Sequence, residues 1–159
     1  MDITVRALDE AERDWAARKL DEAWGSRRAV THSGVYEADR LPGFVALRGG
    51  ERVGLVTYTL EGDACEVVTL NSWLEALGVG TALLAAVRDA ARAVGCRRVW
   101  LTTSNDNLHA LGFYQKLGFR LVAVYPGAVD QARTIKPEIP LIGMHGIPIL
   151  DEIELELPL

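Results

Sequence analysis

Ile3, Val5 and Ala7 alternate with polar neighbours, so residues 3–8 read as a strand. Asp9 followed by Glu12 has the form of a capping box, and Ala16, Leu20, Ala23 and Trp24 then recur at helical spacing until Gly25. Residues 26–43 carry no period. Ser26, Thr31, Ser33, Gly34, Pro42 and Gly43 mark them as a loop with at most a short helical turn. Residues 44–47 and 53–60 flank Gly49-Gly50 as a hairpin, and Gly62-Asp63 leads into a third strand from Cys65 to about Asn71.

A helix is expected from Gly78 to Val94. Leu83, Leu84, Val87, Ala90, Ala91 and Val94 form its buried face, Arg88, Asp89 and Arg92 face water, and Gly95 stops it. Arg98 to Thr103 reads as a strand, Asn107–Leu117 as a helix and Phe119 to Tyr125 as a strand. Residues 126–150 read as irregular, with three prolines and three glycines. The chain closes on strict alternation: Ile153, Leu155 and Leu157 on one strand face, Glu152, Glu154 and Glu156 on the other, which reads as solvated. No repeat or interdomain linker interrupts this order. It implies a single domain over residues 1–159 of α/β (α+β) class. Its mixed, mostly antiparallel sheet has about seven strands, with helices on both faces.

Composition narrows the function classes. Of the 159 residues 49% are hydrophobic and 25% charged, as in soluble globular proteins, and the formal charge is -5 with no block of Lys or Arg. That balance excludes a general nucleic-acid binder and a polybasic membrane anchor. The charged start Met1-Asp2-Ile3-Thr4-Val5-Arg6 is unlike a secretory leader, and the longest uncharged apolar run, Ala76 to Val87, is too short to span a bilayer. Cys65 and Cys96 fit small buried thiols in a reducing cytoplasm, so a cytoplasmic location is expected.

Gly78-Val79-Gly80 opens a helix directly after a strand. A helix N-terminus leaves its first N–H groups unpaired and carries partial positive charge, and glycines let a diphosphate approach those groups. The same glycines would also serve a tight strand-to-helix turn. A dinucleotide fingerprint is disfavoured, because its third small position falls on Leu83 and the motif follows the fourth strand rather than the first. Further on, Asn107, Ala110, Phe113, Tyr114, Lys116, Gly118 and Phe119 keep fixed spacing along the next helix and into the next strand.

These two elements resemble the GNAT superfamily of acetyl-CoA-dependent N-acetyltransferases. The phosphate motif Q/R-x-x-G-x-G/A falls on Glu75-Ala76-Leu77-Gly78-Val79-Gly80, and N-x-x-A-x-x-[aliphatic/aromatic]-Y-x-K-x-G-F is filled at every typed position from Asn107 to Phe119. One departure is that Glu75 stands where Gln or Arg is usual. The resemblance implies acetyl-CoA as cosubstrate, with Thr69, Leu70, Leu77, Gly78, Val79, Gly80, Thr81, Asn107 and Tyr114 as the cofactor-binding set. The strand ending Val68-Thr69-Leu70-Asn71 would offer its backbone to the pantetheine arm.

Tyr114 is implied as general acid toward the departing thiolate, since a phenol with pKa of about 10 holds its proton at neutral pH. Glu66 is the candidate general base, placed on one strand face with Val68 and Leu70; water chains serve in many relatives. Asn107 can both bind the cofactor and cap its own helix. His32, His109 and His145 lack metal-ligand spacing, so no metal is expected; His32 and His145 would border the acceptor pocket. Trp24 and Trp73 read as core or pocket wall.

The function implied is direct transfer of an acetyl group, in a ternary complex, to a primary amine of a small molecule or amino acid. Alternatives are a protein or peptide N-acetyltransferase and a non-catalytic acyl-CoA-binding module. No nucleic-acid or membrane partner is expected, and a homodimer stays open.

Overall fold

In the computed structural model, which describes residues 2–159, the strands are β1 (Ile3–Ala7), β2 (Arg28–Thr31), β3 (Gly34–Glu37), β4 (Gly43–Arg48), β5 (Glu51–Glu61), β6 (Ala64–Ser72), β7 (Arg98–Ser104), β8 (Arg120–Tyr125) and β9 (Glu152–Pro158). The helices are α1 (Arg13–Trp24), α2 (Val79–Ala93), α3 (Leu108–Lys116) and α4 (Ala128–Arg133). Seven strands form one mixed, mostly antiparallel sheet in the order β1-β4-β5-β6-β7-β9-β8, and β2 and β3 form a separate hairpin. The chain divides into two compact units. The first holds the chain to Ala29, Glu37–Val99 and Leu159; the second holds Val30–Tyr36 and Trp100–Pro158.

In the first unit β1, β4, β5 and β6 pair antiparallel in sequence. α1 lays Ala16 and Leu20 against Leu8, Ala38, Val45 and Leu55, with Trp15, Leu47 and Val68 around them. α2 covers the opposite sheet face. Gly54 makes that approach possible: a Cβ there would stand 2.5 Å from Val79 Cγ1 and 3.0 Å from Leu83 Cδ1. The expected capping box forms, Asp9 and Glu12 exchanging side-chain and backbone bonds. The buried Glu12 carboxylate also takes Arg6 at 2.5 Å and Arg52 at 2.6 Å, and these guanidinium hydrogen bonds, Arg6 first, hold its carboxyl at about 2.

In the second unit β8 pairs antiparallel with β9. An irregular segment is clamped by polar side chains. Arg133 donates to the carbonyls of Ile139, Pro140 and Ile149, and the Asn105 Oδ1 accepts from the N–H groups of Leu150 and Asp151.

The structure corrects several expectations. Residues 26–43 are not a plain loop but the β2–β3 hairpin and a 3-10 turn at Ala38–Arg40, elements too short to show a period. Residues 126–150 include the six-residue α4, capped by Gly127 at φ 74°. Val94 is not on the buried face of α2, because the helix ends at Ala93 and Val94 turns out to 63% exposure. Ala23 and Trp24 likewise lie exposed at the last turn of α1 rather than in its buried stripe.

Candidate active site

β6 ends at Ser72, and six residues later Gly78 caps α2 with φ 75° and ψ 19°, a left-handed conformation that favours glycine. No side chain caps this end, and nothing lies within 4 Å of where a Gly78 Cβ would be. The N–H of Ala82 closes the first helical bond on Gly78 O at 2.9 Å, which leaves the amides of Val79, Gly80 and Thr81 ahead of the intrahelical ladder. Leu77, Gly78 and Thr81 are exposed, whereas Val79 is buried and packs the turn down beside Gly54. An open helix end with unpaired donors and partial positive charge fits a diphosphate. Glu75 is exposed three residues before Gly78.

β6 carries a bulge: Thr57 faces Thr69 and Tyr58 faces Val67, so Val68 is passed over. The bulge changes which side chains share a face. Thr59 opposes Glu66, Thr57 opposes Thr69 and Leu55 opposes Asn71, so these lie on the α1 face, where Val68 also packs; Leu70, opposite Val56, lies on the other. Glu66 therefore shares a face with Val68 and Thr69, not with Leu70. It is buried. The Thr69 hydroxyl bonds Thr57 at 2.6 Å, and Asn71 Oδ1 accepts from the indole of Trp24 at 3.3 Å. Trp24 and Trp73 are both part-exposed, Trp73 edge-on to Trp15 at 5.9 Å, and neither is core. Cys65 and Cys96 are buried thiols, and burial pushes Cys65 up to about 12.

In the second unit α3 positions two candidates at once. Asn107 and Tyr114 are seven residues apart, two helical turns, and lie on one face. Asn107 Oδ1 caps the helix by accepting from the Ala110 N–H at 3.1 Å. Its NH2 donors are then what it can give a ligand. Tyr114 packs its ring against Phe113 at 5.5 Å and Phe119 at 5.6 Å, and burial pushes its phenol up to about 12. The proton is held more firmly than in an ordinary tyrosine. Lys116 and His109 are exposed.

The acidic strand face is the largest correction. Glu152 and Glu154 are buried, at 5% and 8% exposure, not solvated. The tip of the β2–β3 hairpin covers them. His32 Nδ1 lies 2.9 Å from Glu152 Oε1 and its Nε2 lies 3.5 Å from Glu154 Oε1, its ring stacks on Tyr125 at 3.7 Å, and the Tyr125 hydroxyl donates to Glu154 at 3.0 Å. His145 lies exposed in a 3-10 turn, away from any such partner set. Asp106, whose role no sequence signal marked, is buried and accepts from the Ser104 hydroxyl and the Met144 N–H, fixing the turn just before Asn107. Gly54 was equally unmarked. Among the described residues no group of three or more His, Cys, Asp or Glu could hold a metal, and no helix is long and apolar enough to cross a membrane.

Comparison with known proteins identifies the family and the fold. The chain is 46% identical over 131 residues to the uncharacterized protein YdhI of Bacillus subtilis (strain 168), covering 82% of each chain. The fold matches an IAA acetyltransferase from Bacillus cereus ATCC 14579 with a TM-score of 0.76 at 20% identity, over 99% of this chain and 100% of that one. It matches a GNAT family acetyltransferase from Elizabethkingia anophelis, solved with acetyl-CoA bound, with a TM-score of 0.71 at 19% identity, over 99% of each. The family model described as Acetyltransferase (GNAT) family matches residues 6–119, a span that runs through the α2 cap and the whole of α3. The chain belongs to the GNAT family of acetyltransferases and is an acyltransferase.

Proposed function

We propose that the protein is a cytoplasmic single-domain N-acetyltransferase that moves an acetyl group from acetyl-CoA to a primary amine of a small molecule or amino acid, by direct attack in a ternary complex. The observation that carries this is the open, glycine-capped N-terminus of α2 in the connection from β6, free of any side-chain cap and inside the family match. Acetyl-CoA supplies an activated acyl thioester. In this reading the amides of Val79, Gly80 and Thr81, with Leu77 and Gly78 at the turn, hold its diphosphate. The backbone of Thr69 and Leu70 orients the pantetheine arm, and Asn107 donates its amide NH2 to it. Glu66 takes the proton that the attacking amine loses, and Tyr114 gives its proton to the sulfur as the carbon–sulfur bond breaks. A phenol raised to about 12 suits that last task, because it stays protonated until a thiolate forms beside it.

The test is a screen of pooled amines and amino acids against acetyl-CoA, following free CoA release, beside a melting curve with CoA. Binding at 100 times Kd should add about 2.7 kcal/mol of stability. Melting stabilisation with turnover of at least one small amine supports the reading. Stabilisation without turnover on small amines or peptides makes the chain an acyl-CoA binder, turnover on peptides alone makes it a protein acetyltransferase, and no stabilisation at millimolar CoA removes the site.

A further inference from the structure

β8 ends the sheet, so among the described residues its backbone is hydrogen-bonded to a strand, β9, on one side alone. Its sequence is Arg120-Leu121-Val122-Ala123-Val124-Tyr125, with neither proline nor lysine. Of the devices that usually blunt an edge it carries one charge, Arg120, and one bulge. Three of its six residues are large, apolar and exposed: Leu121 at 54%, Val122 at 45% and Val124 at 60%. The strand at the other end of the sheet, β1, is one residue shorter and keeps its apolar Ile3 and Val5 half-buried. The two edges are not equivalent.

The register of β8 says what would fit it. Arg120, Ala123 and Tyr125 oppose Glu156, Glu154 and Glu152, while Leu121 and Val124 oppose Leu155 and Ile153; Val122 is the extra residue of a bulge. In a regular strand Leu121 and Val124 would point to opposite faces, as would Arg120 and Tyr125. The bulge brings each of these pairs onto one face. A second β8, running antiparallel about a two-fold axis between Val122 and Ala123, then meets the first without a face mismatch. Leu121 of one copy lies across from Val124 of the other, twice, and Arg120 lies across from Tyr125, twice. Each Arg120 thus comes beside an aromatic ring whose hydroxyl sits on Glu154, a cation–π and charge match rather than a clash of like charges.

We propose that β8 is the interface of a homodimer, in which two copies join edge to edge into one continuous sheet. The contact is isologous, as a two-fold requires. One strand per copy is at the small end of interfaces, so association is weak and depends on concentration. The inference stands apart from the reading of the acetyl-CoA site.

Sedimentation velocity from about 1 to 500 μM, a range that brackets weak self-association, tests it on four proteins: the wild type, Leu121→Lys, Val124→Glu and the double variant. These positions are exposed, and circular dichroism melting confirms that each variant folds. The wild-type mass should rise from 17.4 kDa toward twice that value. Each single substitution should weaken the dimer at least about tenfold. In the double variant the introduced ammonium of one copy lies across from the introduced carboxylate of the other at both ends, so it should dimerise within about threefold of wild type. A wild type that stays at 17.4 kDa throughout would overturn the proposal and leave the edge to a strand of another sequence. Single variants that dimerise like wild type would overturn it too, as would a folded double variant that stays monomeric.

Discussion

At the start of α2 the groups offered to a ligand are backbone amides, freed by a glycine at φ 75° with open space around it. At Tyr114 of α3 the group offered is a side chain, packed between Phe113 and Phe119 and desolvated until its phenol reaches about 12. One region is open and built from main-chain geometry; the other is half-buried and built from packing. Electrostatic attraction for a diphosphate tolerates solvent and many substitutions, because any residue but proline has an N–H. Proton delivery to one sulfur needs a particular atom kept in a particular state. The two regions should therefore fail in different ways when changed.

The largest effect is expected at the packed region. Tyr114→Phe keeps the ring packing and removes the hydroxyl, so kcat should fall roughly 10²-fold, about 2.7 kcal/mol, with acetyl-CoA affinity within about twofold. Steady-state kinetics with a good acceptor decide it, and an unchanged kcat takes Tyr114 out of the chemistry. At the open region fold stability depends on a residue beneath the amides. Gly54→Val drives a side chain into Val79 and Leu83, so thermal unfolding should show a loss of about 1–3 kcal/mol. A variant as stable as wild type would mean that the close approach of α2 to β5 is not needed.

The first unit also has a polar brace with a pH signature. Glu12 is held at about 2 when folded, below its ordinary 4.5, so it stabilises the fold above pH 4.5 and loses that contribution as pH falls toward 2. Glu12→Gln should lower the melting temperature at pH 7, and the gap to wild type should shrink at about pH 3, between the two values. A gap of constant size would contradict the ion-pair account.

The same contrast between local and assembled features governs what the sequence disclosed. α2 and α3 announce themselves through apolar period and fixed motif spacing, both local properties. The β2–β3 hairpin did not, since four-residue strands carry too little period to detect. Alternation correctly divided β9 into two faces but could not tell that both are covered. Leu155 is buried on one side and Glu152 on the other, the latter by His32, 120 positions away. Glu66 was assigned a face partner too far along β6, because a bulge at Val68 leaves no mark in the residue pattern. Asp106 and Gly54 matter through neighbours distant in sequence, and only the assembled structure reveals them.

The smallest effect sharpens the open region. Glu75 is exposed near a helix end that favours its charge by about 0.3–1 kcal/mol, yet it would repel a diphosphate bound there. Glu75→Gln should tighten CoA binding by a few fold, more at low salt than at high. Equal affinity at both salt concentrations would place Glu75 away from the phosphates.

The central claim is that the glycine-capped start of α2 is the diphosphate anchor, and calorimetric titration of CoA into wild type and Gly78→Val tests it directly. Valine at φ 75° is strained by roughly 1–2 kcal/mol or more and distorts the very turn that aims the amides. The account predicts saturable binding by wild type and at least about tenfold weaker binding by a folded Gly78→Val. Equal affinity in the two proteins would contradict it.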